Sequence, residues 1–508
     1  MLHEPSLGPI VGHTTSSSAR LWIRGLDGDD DSRAIGVAAL FKNGRYVAGT
    51  VRYFRLRREF DRTGITDFEG LDANTEYTAR LGCTLVNHSD YDEVDQDDDV
   101  FSKLPPAKAW VDDLRKLPAE TSMARFSTFE QNANTGFSFL FGSCRYPGFM
   151  FDRKRSDRIF KSMTAECSNE NANPARFVLM VGDQIYADLL GKVIPIGRAD
   201  TPMEFHDRYN DAFSTPNMRR LMSSTPTYMM LDDHEIEDNW VAGRVHKDPQ
   251  KRTLYLMSMA AYASYQWLHG PQTYGRKLFY NFNYGGYPFF VLDERTNRIR
   301  DDVDKVLEDN HLLGRPAKNA EYQGQVNLFC EWLIAQQKAV GDLPKFVVSP
   351  SVFAPNAVEA IKQKGKYRDD AWAAFPTTRR QVLQTIVNNH IQNVVFLSGD
   401  IHCSNCASIN FKSKKPKVRA LRAYDITSSA LYWPFPFADG DPLDYVHDSE
   451  AEGDGFDVFE DGSVIMHYTS KSFQQEDNFS RVNVSKKQIE VKTFNRKGKP
   501  LDTTVLPL

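Results

Sequence analysis

Phe177-Val178-Leu179-Met180-Val181-Gly182-Asp183-Gln184-Ile185-Tyr186 is an apolar run of strand length that stops on a glycine and a carboxylate. Such a run fits a β-strand buried on both faces. Runs of the same texture stand at Phe137–Phe141, Tyr228–Leu231, Phe289–Leu292, Phe346–Val348 and Val394–Leu397. Helical patterns separate them. In the clearest, Val326, Phe329, Cys330, Leu333 and Ile334 form one apolar stripe, which core packing explains. Short buried strands alternating with helices predict an α/β fold.

Toward the amino terminus the texture differs. Candidate strands at Ala19–Arg24, Ala34–Phe41, Val47–Leu56 and Glu76–Leu85 are separated by turn residues such as Leu26-Asp27-Gly28-Asp29. These predict a small all-β unit, a sandwich of immunoglobulin or fibronectin type. We therefore expect an N-terminal β-sandwich over residues 1–133 and a larger α/β unit over 134–508, since 508 residues exceed what one core usually holds.

A hydrophobic share of 41% and a charged share of 25% place the chain among ordinary globular proteins. The net charge of -5 argues against a nucleic-acid-binding face. No run approaches the ~20 apolar residues of a membrane span. The start, MLHEPSLGPIVG, lacks a basic stub and an apolar core, so a cytoplasmic protein is expected unless a signal preceded it. Six scattered cysteines are too few for a disulfide framework.

The reactive residues fall where the strands stop. One run leads into Gly142-Ser143-Cys144-Arg145, the next into Gly182-Asp183-Gln184-Ile185-Tyr186, a third into Asp232-Asp233-His234-Glu235. Two later ones reach Asp293-Glu294-Arg295 and Ser398-Gly399-Asp400-Ile401-His402. Singly, each has an ordinary reading, such as turn chemistry for Gly-Asp or helix capping for Asp232. Together they sit where open α/β sheets bind ligands. If Asp183, Asp232, Asp233 and Asp400 converge, their repulsion calls for cations. Cys144, Tyr186 and His402 suit a transition metal. A phenolate ligand demands a strong Lewis acid, with Fe3+ the natural candidate. Asp233 and Asp400 offer oxygen, which suits Ca2+, Mg2+ or Mn2+. Asp183 is placed to bridge two ions.

The set GSCR, GDQIYAD, DDHE, DER and SGDIH resembles the PhoD-type alkaline phosphatases and phosphodiesterases, relatives of the purple acid phosphatases among calcineurin-like metallophosphoesterases. The resemblance covers about residues 137–475, and GPIVGHTTSSSARLWIRG resembles the β-sandwich that precedes this catalytic unit. It implies a four-layer αββα sandwich holding Fe3+ with Ca2+, and hydrolysis of phosphate mono- or diesters by a hydroxide activated at that cluster. Cys144 matches the cysteine that replaces a metal-binding aspartate, Asp183 the bridging carboxylate and Tyr186 the iron-bound tyrosinate. Asp233 stands at the metal-binding asparagine of the wider superfamily. Asp400 and His402 stand at a pair of metal-binding histidines. By the same resemblance His234 contacts phosphate or donates a proton, and Arg295 binds phosphate. The chain departs from its relatives at Asp238, where many carry the first of two asparagines, leaving Asn239 as the substrate contact. The superfamily's VxxH histidine has no counterpart, which agrees with an oxygen-rich Ca2+ site.

A small phosphate ester is the implied substrate. A dedicated phosphodiesterase acting on lipid, nucleotide or polymer is the alternative. Zn2+, Mn2+ or Mg2+ would replace the Fe/Ca pair in a related enzyme. A metal-free relic should have lost ligands, yet all six remain. The acidic stretch Asp90–Asp99 and the basic stretch Lys412–Arg422 read as solvated loops. Trp372 either lines the pocket or packs in the core. The aromatic run Leu431–Phe437 reads as a buried lid segment, with a substrate wall or dimer contact as alternatives. Cys403 and Cys406 form a CxxC, for which a structural role outweighs a redox one. The oligomeric state is left open.

Overall fold

The structure, a computed structural model, describes residues 1–508 except 29–31, 88–100, 102–103, 148–151, 189–196, 274, 276, 301–308, 317–323, 359–360, 362–370, 415–419 and 436–441. The acidic stretch at 90–99, Asp370, much of the basic stretch near 412–422, and Pro436 and Phe437 lie outside the described residues.

Two mixed sheets face each other. The first runs in the order Thr227–Met230, Val178–Val181, Phe137–Arg145, Asn478–Val484, Gln488–Asn495, Pro500–Pro507, with Ser429–Tyr432 beside the end of Phe137–Arg145. The second runs Tyr280–Tyr284, Tyr287–Val291, Lys345–Val348, Val394–Ser398, Arg422–Thr427, Ser404–Ser413, Val464–Gln474, Phe456–Asp457. The central strands of each are parallel.

Side-chain alternation along these strands builds four layers. Phe139, Phe141, Leu179 and Val181 of the first sheet meet Phe289, Val291, Phe346, Val348, Val395 and Leu397 of the second in one core. The residues between them point outward. Leu140, Val178 and Met180 meet the helices Arg153–Cys167, Pro202–Phe213, Pro216–Ser224 and Pro249–Tyr265. Phe290, Val347, Val394 and Phe396 meet Gln325–Val340 and Pro376–Asn388. Strands covered on both faces must be apolar throughout, which is why they read as unbroken runs. The predicted αββα class is what the alternation produces.

The amino-terminal region is a sandwich of two antiparallel sheets. One contains Leu7–Thr14, Ser18–Arg24 and Thr63–Glu69; the other contains Arg45–Tyr46, Ser32–Lys42, Glu76–Asn87, Met123–Ser127 and Arg52–Leu56. Val11, Leu21, Ile23, Ala38, Leu40 and Leu81 fill the space between them. The expected strand Val47–Leu56 begins only at Arg52. The region also contains the helix Ala107–Lys116, unforeseen in an all-β reading. Val37, Ala39 and Phe41 leave an apolar outer face, and Trp110, Val111 and Leu114 cover it.

The sandwich is pinned to the larger region. Trp22 is fully buried among residues of the helical layer, and its indole N–H donates to the Ser264 carbonyl at 2.8 Å. Arg20 donates to the Gly270 carbonyl at 2.7 Å. Among the described residues no helix is long and apolar enough to cross a membrane.

Candidate metal centre

The parallel strands Phe137–Arg145, Val178–Val181, Thr227–Met230 and Val394–Ser398 deliver Cys144, Asp183, Asp232–Asp233 and Asp400 at or just past their carboxyl ends. Both sheets contribute, so the cluster sits across their shared edge. The backbone bends sharply there. Cys144, Asp183, Asn239, Asp400 and His402 all have φ between +52° and +69°, a left-handed conformation costly for residues other than glycine. Packing around them sustains it.

Asp183 stands at the centre. Its Oδ2 lies 3.5 Å from the Cys144 Sγ and 3.3 Å from the Tyr186 hydroxyl. Its Oδ1 accepts from the His234 backbone N–H at 3.4 Å. Carboxylate oxygens of Asp183, Asp232, Asp233 and Asp400 come within 4.8 Å of one another, as do ligand atoms of Asp183, Asp233 and His234. Cys144 and His402 fall outside these two groups. Cys144 joins through its contact with Asp183. The His402 ring stacks face to face on Trp433, with centroids 3.7 Å apart.

The electrostatics follow from that crowding. Burial pushes the Asp183 carboxyl well above the usual carboxylate range, and Asp232 and Asp233 add to it against the pull of His234. Burial, then Asp183 and Asp400, push the Cys144 thiol up. Burial, then Asp183 and Cys144, do the same to the Tyr186 phenol. Asp233 goes the other way. Burial would raise it, but Arg295 and His234 outweigh that and hold it ionised. For His234, burial would lower the pKa, but Asp233, Asp183 and Asp188 raise it well above its ordinary value. Buried acids that raise each other's pKa want a cation in their midst. Thiol, phenol, imidazole and carboxylate oxygens together offer donors fit for a metal ion.

Arg295 stands directly behind the Asp232–Asp233 pair. Its side chain is fully buried, with Nε 2.5 Å from Asp232 Oδ1 and Nη2 3.5 Å from Asp233 Oδ1. Two of its donors therefore face carboxylates. Asn239 donates its backbone N–H to Asp233 Oδ2 at 2.6 Å, and its amide donates to Asp238 at 3.1 Å.

Two residues not singled out from the sequence organise the centre. Glu235 is fully buried. Its Oε1 accepts from Gln184 N at 2.7 Å and Gln266 Nε2 at 3.1 Å; its Oε2 accepts from Asp232 N at 3.0 Å and Asp183 N at 3.2 Å. It ties the Gly182–Gln184 turn to the Asp232–His234 turn. Asp188 lies 2.8 Å from His234 Nδ1 and accepts from Asp238 N at 2.8 Å. Both residues lie inside quoted motifs. The signal was that each motif carries more acids than ligation requires, one more in GDQIYAD and two more in DDHE.

Trp433 and Phe435 are half-buried, with Tyr146 and Tyr186 against them. Leu431 and Tyr432 of this segment are buried, as a lid would have them, whereas Trp433 flanks the metal centre through its stack on His402. Trp372 is core. It is fully buried against Phe353 and Phe396 and donates to Ser349 Oγ at 3.0 Å. Cys403 and Cys406 are buried free thiols.

The model of the PhoD-like phosphatase family matches residues 152–432, more than half of the chain. The chain belongs to the PhoD-like phosphatase family. A relative named alkaline phosphatase D from Bacillus subtilis (strain 168) is 23% identical over 272 residues. That match covers 50% of this chain and 44% of the relative, so the chain spans less than half of that protein's length. Among solved structures, one described as the structure of PhoD superposes with a TM-score of 0.65 at 16% identity, covering 99% of this chain and 89% of the other. A purple acid phosphatase, PPD1, from yellow lupin seeds superposes with a TM-score of 0.56 at 10% identity, covering 98% and 74%. At such identities these likenesses show the fold. PhoD-like membership and the residues above carry the functional argument.

Proposed function

We propose that this chain is a metal-dependent phosphoesterase in which Asp183, with Cys144, Tyr186, His402, Asp233 and Asp400, would hold two unlike cations. The observation that carries the reading is the division of Asp183. One oxygen faces a thiol and a phenol, and the carboxylate shares its other surroundings with Asp233, Asp400 and the His234 backbone. Cys144, Tyr186 and His402 would hold Fe3+, and Asp233 and Asp400 would hold Ca2+. Zn2+, Mn2+ or Mg2+ are the alternatives. Such a pair, when bound, lowers the pKa of a water, aligns a phosphate and neutralises its charge.

The chain's own residues do the rest. Arg295 holds Asp232 and Asp233 in place and keeps Asp233 ionised, so it acts through these carboxylates. Asp188 engages His234 Nδ1, which leaves Nε2 as the ring nitrogen for substrate. Held there by Asp188, His234 is the group placed to protonate the departing alkoxide. Asn239 borders the centre as a further polar contact. The half-buried ring of Trp433 supplies an apolar flank, which favours esters with a bulky group and keeps a phosphodiesterase activity in view.

Elemental analysis of the purified protein, alongside hydrolysis of a chromogenic phosphate monoester and diester, tests the reading. About one iron per chain with calcium, and activity lost to a chelator, is the expected result. Cys144→Ala and Asp183→Ala should each lose metal and turnover while remaining folded. Wild-type turnover in either variant would overturn the assignment. Zinc or manganese in an active protein would keep the reaction and replace the metals.

A further inference from the structure

Beside the turn that carries Asp233 and His234, one carboxylate gathers three cations. Glu237 lies 3.3 Å from Arg198, 3.0 Å from Arg244 and in contact with Lys251. Three cations thus share one carboxylate. Asp238, the other acid of this turn, has its carboxylate 3.1 Å from the Asn239 amide. The three cations keep 35%, 33% and 25% of their side-chain surface exposed, whereas Glu237 keeps 16%. The carboxylate is thus the buried anchor and the cations are its outward face. The Arg198 Nε–H is buried and makes no hydrogen bond among the described residues. Arg244 rests on the Trp240 ring at 5.7 Å, which fixes its direction.

The patch is joined to the metal centre through single contacts. Asp238 N donates to Asp188, the partner of His234. Arg244 reaches the Asp238 carbonyl at 3.4 Å. Arg198 precedes Ala199, whose N–H donates to Ala187, and Ala187 N–H donates to the His234 carbonyl. The cations therefore border the turns that carry His234 and Asn239. We infer that Arg198, Arg244 and Lys251 form a clamp for a second phosphoryl group, carried on the leaving-group side of the substrate. The inference rests on the phosphoesterase reading and narrows it to esters with two anionic groups. A guanidinium and an ammonium at one rim favour phosphate over a neutral headgroup.

The test is calorimetric binding of fructose 1,6-bisphosphate and fructose 6-phosphate to the metal-loaded full chain. Phosphate release from both sugars is followed in parallel. The wild type should bind the bisphosphate at least about ten-fold more tightly, with the advantage shrinking as salt rises. In Arg244→Ala/Lys251→Ala the ratio should fall to within about two-fold. In Glu237→Gln, which removes the competing carboxylate, it should rise. Thermal melts confirm that each variant is folded. Equal binding of the two sugars by the wild type, or a ratio unmoved in the double variant, would overturn the clamp. A protein that keeps the ten-fold ratio but releases no phosphate from any ester would uphold the clamp and sink the phosphoesterase reading. Hydrolysis with equal binding would do the reverse.

Discussion

Replacing Glu235 with Gln tests whether the metal centre is built by its backbone turns. The two oxygens of Glu235 accept four hydrogen bonds, three of them from main-chain N–H groups of Asp183, Gln184 and Asp232. A glutamine keeps the shape but turns one oxygen into an NH2. Placed at the Oε2 position, that NH2 would face the N–H groups of Asp183 and Asp232 together. Placed at Oε1 it faces Gln184 N–H and the side chain of Gln266. Gln266 is able to flip, because its own carbonyl oxygen is buried without a partner. The Tyr209 hydroxyl, now accepting from Gln266 Nε2 at 3.1 Å, would then donate to the flipped carbonyl. The variant should choose the second arrangement, leaving unmet the Gln184 N–H and the flipped Gln266 NH2, which then takes the place of its partnerless carbonyl. A buried donor left unmade beside a lost charged acceptor costs about 1–3 kcal/mol. Glu235→Ala has no such escape and leaves three main-chain donors unmet, so its cost should be two- to three-fold larger by the same principle.

The consequence should appear in metal binding as well as stability. Partners that orient ligands typically change metal affinity by about 10–100-fold when removed. We expect Glu235→Gln to fold, to melt at a lower temperature, and to need at least about ten-fold more free metal for half-maximal occupancy. Titration of chelator-treated protein with Fe and Ca2+, read by elemental analysis after desalting, gives that figure. Unchanged metal affinity in Glu235→Gln, and likewise in Glu235→Ala, would refute the idea that these turns are held from behind.

Other perturbations separate other parts of the argument. Trp433→Ala removes the ring stacked on His402 and should weaken metal binding while raising KM more for aryl than for alkyl esters; equal KM changes would mean that Trp433 does not touch the ester group. Burial, then Arg20, lower the pKa of His269 to about 3. The unfolded chain then binds the extra proton below about pH 6.5, so stability contributed by neutral His269 is lost as pH falls from there toward 3. By pH 5 the loss should reach about 2 kcal/mol, and His269→Leu should flatten this part of the stability profile in denaturant titrations. Trp22→Ala should cost about 3–5 kcal/mol, as a buried indole that also donates to Ser264; a cost below about 1 kcal/mol would mean the sandwich does not brace the helical layer.

What the sequence discloses here follows from period and position. Buried parallel strands must be apolar on both faces, so Phe177–Val181 and its companions are visible as runs. Their ends mark where Cys144, Asp183, Asp233 and Asp400 stand. The β-sandwich shows through its alternation, but the helix Ala107–Lys116 does not, because its reason for existing is the apolar back of a strand formed by Val37, Ala39 and Phe41. A strand's alternation does not say which side water reaches.

The candidate ligands are visible because their chemistry is unusual, and the residues behind them are not. Glu235 and Asp188 are ordinary acids by type. Only the fold shows that one collects main-chain N–H groups and the other a histidine nitrogen. Arg295 shows the same limit from the other side. An arginine at a strand end suits phosphate by chemistry, and only the fold shows that its Nε and Nη2 also face Asp232 and Asp233. The left-handed residues Cys144, Asp183, Asp400 and His402 at and just past the strand ends explain why the limit lies here. Strained turns point ligands inward only when something behind them takes up the exposed N–H groups and the excess charge. That supporting layer is assembled from several motifs at once, so no single motif spells it. Glu237 and its three cations extend the logic one layer outward, from residues that hold the turns to residues that the turns present to solvent.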